Sequence, residues 1–341
     1  MSTTLVFPIE ETSQVGNARR GATEFASRLS FDDETSGKLA LAVTEAATNI
    51  LKHAQRGQVL LRPVEGSAVA GIEMLALDRG PGIGGLASSL RDGYSTAGTP
   101  GTGLGALFRL SSSFEIFSQP ARGTAIRLLL WANGVDGDVA SQNFELGVVC
   151  VAKAGEPVPG DDWLTVHAGR YVSLLVADGL GHGVDAARAS HAATKVLDNA
   201  PTAEPHSIIE QCHGALAATR GAAVAAVRLD PAAQLGSFAG VGNIVARVEG
   251  ATTRTLVSHN GTVGHNVRRI QEFAFPWLEA QLLILHSDGL GTHWHLSDYP
   301  GLSIKHPGLI AGVLYRDFER GRDDVTVVVI RNRAVAPGSR A

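Results

Sequence analysis

Cysteine is scarce: Cys150 and Cys212 are the only two in 341 residues. Neither has a neighbour at metal-ligand spacing, and both lie in apolar or helical contexts, so buried free thiols are expected. Neither is followed by a glycine-rich arginine loop, and no Ser-His-Asp order occurs, which removes the covalent routes to hydrolysis. Positive charge is also short. Lys and Arg number 29 against 33 Asp and Glu, a net charge of −4, so there is no electrostatic footprint for nucleic acid or anionic lipid. No run approaches the roughly 18 apolar residues of a membrane span. Met1–Pro8 lacks the basic-then-apolar pattern of a leader, so a cytoplasmic chain is expected. The length implies two domains rather than one core.

What the chain does have is acid at the ends of apolar runs. Tyr171–Ala177 runs into Asp178-Gly-Leu-Gly-His-Gly183, and Gln281–His286 runs into Ser287-Asp288-Gly-Leu-Gly291. Asp323-Asp324 stands immediately before Val325–Ile330, and Gly160-Asp161-Asp162 before another strand-like stretch. Short apolar runs stopped by glycine read as buried strands, which places these carboxylates where strands leave the core. Carboxylates gathered there repel one another and lose solvation, at a cost of several kcal/mol each unless neutralised. Hard divalent cations with oxygen ligands are the usual remedy. A lone Asp-Gly is more often simple turn chemistry. Four acidic sites in order, each on a strand edge, favour the metal.

Ahead of these lies a unit of about 130 residues. Leu39, Ala42, Val43, Ala46, Ala47, Ile50 and Leu51 recur at helical spacing between Ser36 and His53. Glu45 and Asn49, one turn apart on the edge of that stripe, can enter one cleft. Strand-like Gln58–Pro63 and Ile72–Leu77 follow, then the turn Asp78–Ile83. The glycine-rich stretch Asp92–Gly105 opens the helical pattern Ala106–Leu110, and strand-like Phe114–Ser118 and Thr124–Trp131 close the unit. A glycine-rich loop opening a helix presents N–H groups and a positive dipole end to phosphate. Asn49 offers a carbonyl oxygen to a hard metal, Glu45 a base, and Asp78 an acceptor for an exocyclic amine. Together they describe a nucleotide–magnesium site.

Glu45-x-x-x-Asn49, Asp78-x-Gly80-x-Gly82 and Gly101-Thr102-Gly103-Leu104-Gly105 resemble the N, G1 and G2 boxes of GHKL-type ATPases. Asp92-Gly-Tyr-Ser-Thr is similar to the small serine-kinase branch typified by RsbT. The resemblance covers nearly all of residues 5–132 and implies an α/β sandwich. It implies that Asp78 contacts adenine, Asn49 binds Mg2+ and Glu45 is the catalytic base. Gly80, Gly82, Gly101, Thr102, Gly103, Leu104, Gly105 and Thr124 would complete the ATP site, with residues 84–100 as a lid. A sensor histidine kinase would need a phospho-accepting helix ahead of this domain, and none is expected.

Residues 133–143 are polar and glycine-containing, an expected linker. From residue 144 to 333, many strand-like segments surround helical patterns at Val184–Asn199, Ser207–Thr219 and Pro307–Phe318, which fits a layered domain; 334–341 would be a tail. The acidic motifs there resemble PPM-type phosphatases of the SpoIIE branch, and Val241-Gly-Asn243 and Arg220-Gly-Ala222 are similar to its RsbX-like members. The expected fold class is therefore α+β, a GHKL sandwich followed by a PPM-type αββα domain. The resemblance implies that Asp178 bridges two Mn2+ or Mg2+ ions and that the Gly179 carbonyl binds one of them. Asp288 and Asp323 would complete one ion and Asp161 would hold the other, with Asp324 a possible one-residue slip for Asp323. His182 is either a proton donor to the leaving oxygen or a structural, solvated side chain.

The function these resemblances imply is a serine/threonine kinase joined to a metal-dependent phosphoserine/phosphothreonine phosphatase. Its implied substrates are STAS-domain proteins of a partner-switching or stressosome pathway. Two alternatives stand beside it: a sigma-factor-binding anti-sigma module fused to a phosphatase, or a phosphatase regulated by ATP on a non-catalytic domain.

Overall fold

The computed structural model describes residues 4–66, 69–84, 103–134 and 144–333. In chain order the first elements are β1 (Leu5–Ile9), α1 (Thr12–Arg28), α2 (Asp33–Ala54), β2 (Gly57–Glu65), β3 (Ala70–Asp78), α3 (Gly103–Leu110), β4 (Ser113–Ser118) and β5 (Thr124–Trp131). The five strands form one antiparallel sheet in the order β1-β2-β3-β5-β4. Helix α2 starts where the Asp32 carboxylate caps the Thr35 N–H at 2.6 Å. Asp33 and Glu34 then occupy its positive end and Lys52 and His53 its negative end. The stripe expected from the sequence packs Leu39, Val43, Ala46 and Ile50 against Ile72, Met74 and Leu128 of the sheet.

After them come β6 (Phe144–Val151), β7 (Asp161–Ala168), β8 (Tyr171–Gly179), α4 (Val184–Asn199), α5 (Pro205–Ala215), β9 (Ala222–Asp230), β10 (Leu235–Val241), β11 (Val245–Glu249), β12 (Arg254–Leu256), β13 (Gly261–Thr262), β14 (Asn266–Val267), β15 (Glu272–Pro276), β16 (Leu282–His286), α6 (Pro307–Phe318) and β17 (Val325–Asn332). Two five-stranded sheets arise, β15-β10-β9-β8-β7 and β12-β11-β16-β17-β6. A core of Val172, Leu174, Val176, Leu283, Leu285, Val328 and Ile330 lies between them. Alternation sends Leu175 and Ala177 of β8 to the other face, where they meet Ala193, Leu197, Ile208 and Ile209 of α4 and α5. The fold is α+β with two compact units.

The units do not divide where the sequence suggested. One comprises Gln142–Trp294 and Asp317–Ala341, the other Ser2–Ser141 together with His295–Arg316. Most of α6 therefore belongs with the first sheet, not with residues 144–333 as expected. The reason is legible on β3. Ile72, Met74 and Ala76 enter the helix-covered core, while Glu73, Leu75 and Leu77 point the other way and are buried too. A strand apolar on both faces needs two covers. Residues 295–316 supply the second, with α6 buried on every side from Pro307 to Arg316. Gly308 and Gly312 permit its close approach. A methyl on Gly312 would sit 3.2 Å from Leu77 Cδ2, and one on Gly308 2.8 Å from Glu73 Oε1. The expected linker, apart from Asn133 and Gly134, and the tail 334–341 lie outside the described residues.

Candidate functional site

In the first unit, β3 ends at Asp78. Its Oδ1 accepts the N–H groups of Gly80 at 2.8 Å and Thr124 at 3.2 Å. Burial raises its pKa, and those two N–H groups, Arg316 and His53 oppose the rise. Both bonds fall on Oδ1, which leaves Oδ2 for a ligand amine. The Thr124 hydroxyl pairs with that of Ser118 at 2.9 Å, and Ser118 Oγ also accepts from the Ile83 N–H at 2.8 Å. Gly82 turns at φ +74°, and a side chain there would strike the Gln119 carbonyl. The half-buried Glu45 and Asn49 of α2 face the first residue of α3, where a methyl on Gly103 would overlap the Glu45 carboxylate and lie 3.3 Å from Asn49 Nδ2. The three boxes thus contribute to the same end of the unit, and Leu104 and Gly105 follow Gly103 into α3. Gly101, Thr102 and lid residues 85–100 lie outside the described residues. The close approach of the Gly103 backbone to Glu45 and Asn49, and the spare oxygen of Asp78, fit a nucleotide.

The second unit brings its acid together from four strand ends. Asp161 opens β7 and pairs in register with Asp178 near the end of β8, so two carboxylates oppose each other across one ladder. Asp288 follows β16 and Asp323-Asp324 precedes β17, its antiparallel neighbour. Burial raises the pKa of Asp178, and the charges of Asp161, Asp288, Asp323 and Asp324 raise it further. Burial likewise raises Asp161, with the Ser287 and Thr326 hydroxyls opposing and Asp324 and Asp323 adding. Asp288 rises through burial and Asp323, against Arg320 and Asn243. Among the described residues no three acidic, histidine or cysteine side chains close around one point as they stand. The fit to cations rests on the donor set, all hard oxygen, and on the buried Asp161 Oδ2 and Asp324 Oδ2, which have no hydrogen-bond partner.

Backbone crowding fixes this cluster. A methyl on Gly179 would collide with the Ala186 carbonyl of α4, one on Gly289 with the Asp324 carbonyl, and one on Gly160 would sit 2.7 Å from Asp324 Oδ2. Asp323 and Asp324 take different surroundings. Asp324 is buried and its Oδ1 accepts the Lys153 N–H at 2.8 Å, whereas Asp323 is half-buried and is the charge acting most on Asp288. His182 pairs through Nδ1 with Glu156 Oε1 at 2.5 Å, with nearly half of its side chain exposed. Asn243 belongs to the Val241-Gly-Asn243 motif, to which the sequence alone assigns no role. Its Nδ2 donates to Asp288 Oδ2 at 2.7 Å. The signal was the glycine before it: Gly242 has φ +106°, and a methyl there would overlap Ala223.

Residues 7–130 match the family described as histidine kinase-like ATPase domain, and residues 168–333 match stage II sporulation protein E. The chain is 32% identical over 114 residues to serine/threonine-protein kinase RsbT of Bacillus subtilis (strain 168), covering 33% of this chain and 86% of that protein. Phosphoserine phosphatase RsbX of the same organism is 24% identical over 154 residues, 45% of this chain and 77% of RsbX. A solved chain from work on the bacterial stressosome as a modular system adapted to control secondary messenger signalling has a TM-score of 0.52 and 29% identity. It is covered completely by 56% of this chain. The crystal structure of RsbX in complex with magnesium has a TM-score of 0.50 and 20% identity, covering 55% of this chain and 94% of that one, a likeness of fold.

Proposed function

The chain belongs to the RsbT family of histidine kinase-like ATPase domains and carries a SpoIIE-type phosphatase domain behind it, and on that premise we propose that it both phosphorylates and dephosphorylates serine or threonine on STAS-domain proteins of a partner-switching pathway. The observation that carries the phosphatase half is the opposed Asp161–Asp178 pair, with Asp288, Asp323 and Asp324 each raising the cost of its ionisation. Such a group is stable at neutral pH only with its charge balanced. Asp178 would bridge two Mn2+ or Mg2+ ions, helped by the Gly179 carbonyl; Asp161 would hold one ion and Asp288 with Asp323 the other. Asp323 is preferred to Asp324 because it is the charge acting most on Asp288, with which it would share an ion. Bound there, the cations supply a water acidified to near neutrality and in-line charge stabilisation. Asn243 holds the Asp288 carboxylate in one orientation. His182 is assigned the structural role, tied to Glu156.

For the kinase half, Asp78 Oδ2 takes the adenine amine, and Asn49 holds Mg2+. Gly80, Gly82, Gly101, Thr102, Gly103, Leu104, Gly105 and Thr124 frame the nucleotide. Glu45 accepts the proton of the attacking hydroxyl. The STAS-domain substrates come from the likeness to RsbT and RsbX.

The test is to incubate the intact chain with magnesium, radiolabelled ATP and candidate STAS-domain proteins, map the phosphate by mass spectrometry, then add manganese and follow its release. Transfer to serine or threonine followed by manganese-dependent loss is the expected result. Release without transfer would retire the kinase half and leave ATP as a regulatory ligand. Capture of a sigma factor in place of transfer would favour the anti-sigma reading.

A further inference from the structure

Helix α6 lies, in sequence, between the acidic motifs Ser287-Asp288-Gly289 and Asp323-Asp324, yet through Arg316 it belongs to the compact unit of residues 2–141. Arg316 is buried, and its guanidinium donates to the main-chain carbonyl of Asp78 at 3.0 Å. The contact is reciprocal, since the Arg79 guanidinium donates to the main-chain carbonyl of Arg316. On its other side the Asp78 carbonyl abuts Gly123, φ +82°, where any side chain would collide with it. The carbonyl is held between an arginine and a glycine. The Asp78 carboxylate is meanwhile held by the Gly80 and Thr124 N–H groups. A charged guanidinium beside Asp78 also favours its ionised form, the form that accepts from an amine.

We propose that Arg316 is a positioning residue for adenine recognition, aiming and polarising Asp78 although it comes from the stretch between two phosphatase motifs. This rests on the reading of Asp78 as the adenine-contacting residue. An ionised, fixed Asp78 accepts the 6-amino group of adenine, whereas guanine offers an oxygen at that position and is repelled. Loosening Asp78 therefore erodes discrimination between the bases, beyond any loss of affinity common to both.

The experiment uses the intact chain with ATP and GTP in titration calorimetry, comparing Arg316→Ala, Arg316→Lys and, as a control on the same segment, the exposed Ile304→Ser. Arg316→Ala is expected to weaken ATP by about tenfold or more and to narrow the ATP-to-GTP preference. Arg316→Lys should keep its melting temperature within a few degrees and recover part of that preference, because charge is restored without the fork. Ile304→Ser should change neither. If Arg316→Ala does not fold, Arg316→Lys decides alone. The proposal is overturned if both arginine variants retain the wild-type preference, or lose ATP and GTP equally. If the wild-type chain binds no ATP, or prefers GTP, the assignment of Asp78 itself fails.

Discussion

Asp178 sits opposite a second buried carboxylate, so replacing it should act in opposite directions on activity and on the stability of the metal-free protein. Asp178→Asn removes the proposed bridging ligand and should lower manganese-stimulated release of phosphate from a phosphoserine peptide by more than about 100-fold. Asn243→Ala, which frees the Asp288 carboxylate, should weaken manganese by about 10–100-fold. In chelator, Asp178→Asn should melt a few degrees higher than wild type, because a neutral amide avoids the cost of holding a carboxyl at a raised pKa among other carboxylates. A lower melting temperature would show that Asp178 is a structural partner instead. The same raised pKa values set a pH dependence. Folded Asp161 and Asp178 bind protons that the unfolded chain has lost, so their contribution is stabilising at low pH and disappears as pH rises. Under the proposed metal assignment, manganese would replace those protons. The melting-temperature gain from manganese should therefore be larger at about pH 9 than at about pH 6, measured by thermal shift. In the other unit, Asn49→Ala should weaken magnesium-dependent ATP binding while Glu45→Ala spares binding and removes transfer. Equal loss of affinity in both variants would count against that division. These acidic and glycine residues were legible because each punctuates an apolar run. Asn243 was not assigned because an asparagine after glycine reads as a turn, and its partner is 45 residues away in sequence.

Among elements, β3 is the one whose surroundings the sequence half disclosed. Its run Ile72-Glu-Met-Leu-Ala-Leu77 has an apolar residue at five of six positions, which told of burial but not of what buries it. The exception, Glu73, is 1% exposed and lies between Arg62 at 2.9 Å and Arg127 at 2.5 Å, themselves buried. Burial pushes its pKa up, but the Arg62 and Arg127 charges outweigh that and pull it down to about 2. Its contribution is present above the ordinary carboxylate range, near pH 4.5, and is lost as pH falls through about 2. Glu73→Gln would strand two buried guanidinium groups. It should cost about 3–5 kcal/mol in chemical denaturation. A loss below about 1 kcal/mol would mean that the arginines reach water. Helix α1 and strand β1 carry weak signals in the sequence. Helix α1 buries only Ala18, Ala22, Phe25 and Ala26, and β1 is five residues long. Strands β12, β13 and β14 run only two or three residues, below the length at which alternation can be read.

At the scale of the molecule, the sequence correctly indicated two domains and the order of their motifs, but not that both units are discontinuous. Composition marks a boundary around residues 133–143 but cannot reveal that residues 295–316 cover a sheet formed far upstream. A fragment of residues 2–141 lacks that cover, leaving the outward faces of Leu75 and Leu77 open. It should bind a hydrophobic dye and melt well below the intact chain, and a peptide of residues 295–318 added in trans should reverse both. A fragment as stable and as dye-inert as the intact protein would show that α6 is dispensable to the sheet.

Discontinuity also sets an order of events during synthesis. The ribosome completes β5 at Trp131, but about 180 further residues must emerge before α6 can close over β3. At about 5–20 residues per second, the second face of the nascent sheet stays wet for on the order of ten to thirty seconds. The amino-terminal unit is begun first and finished late, with Leu75 and Leu77 presented meanwhile to whatever chaperone attends the tunnel exit.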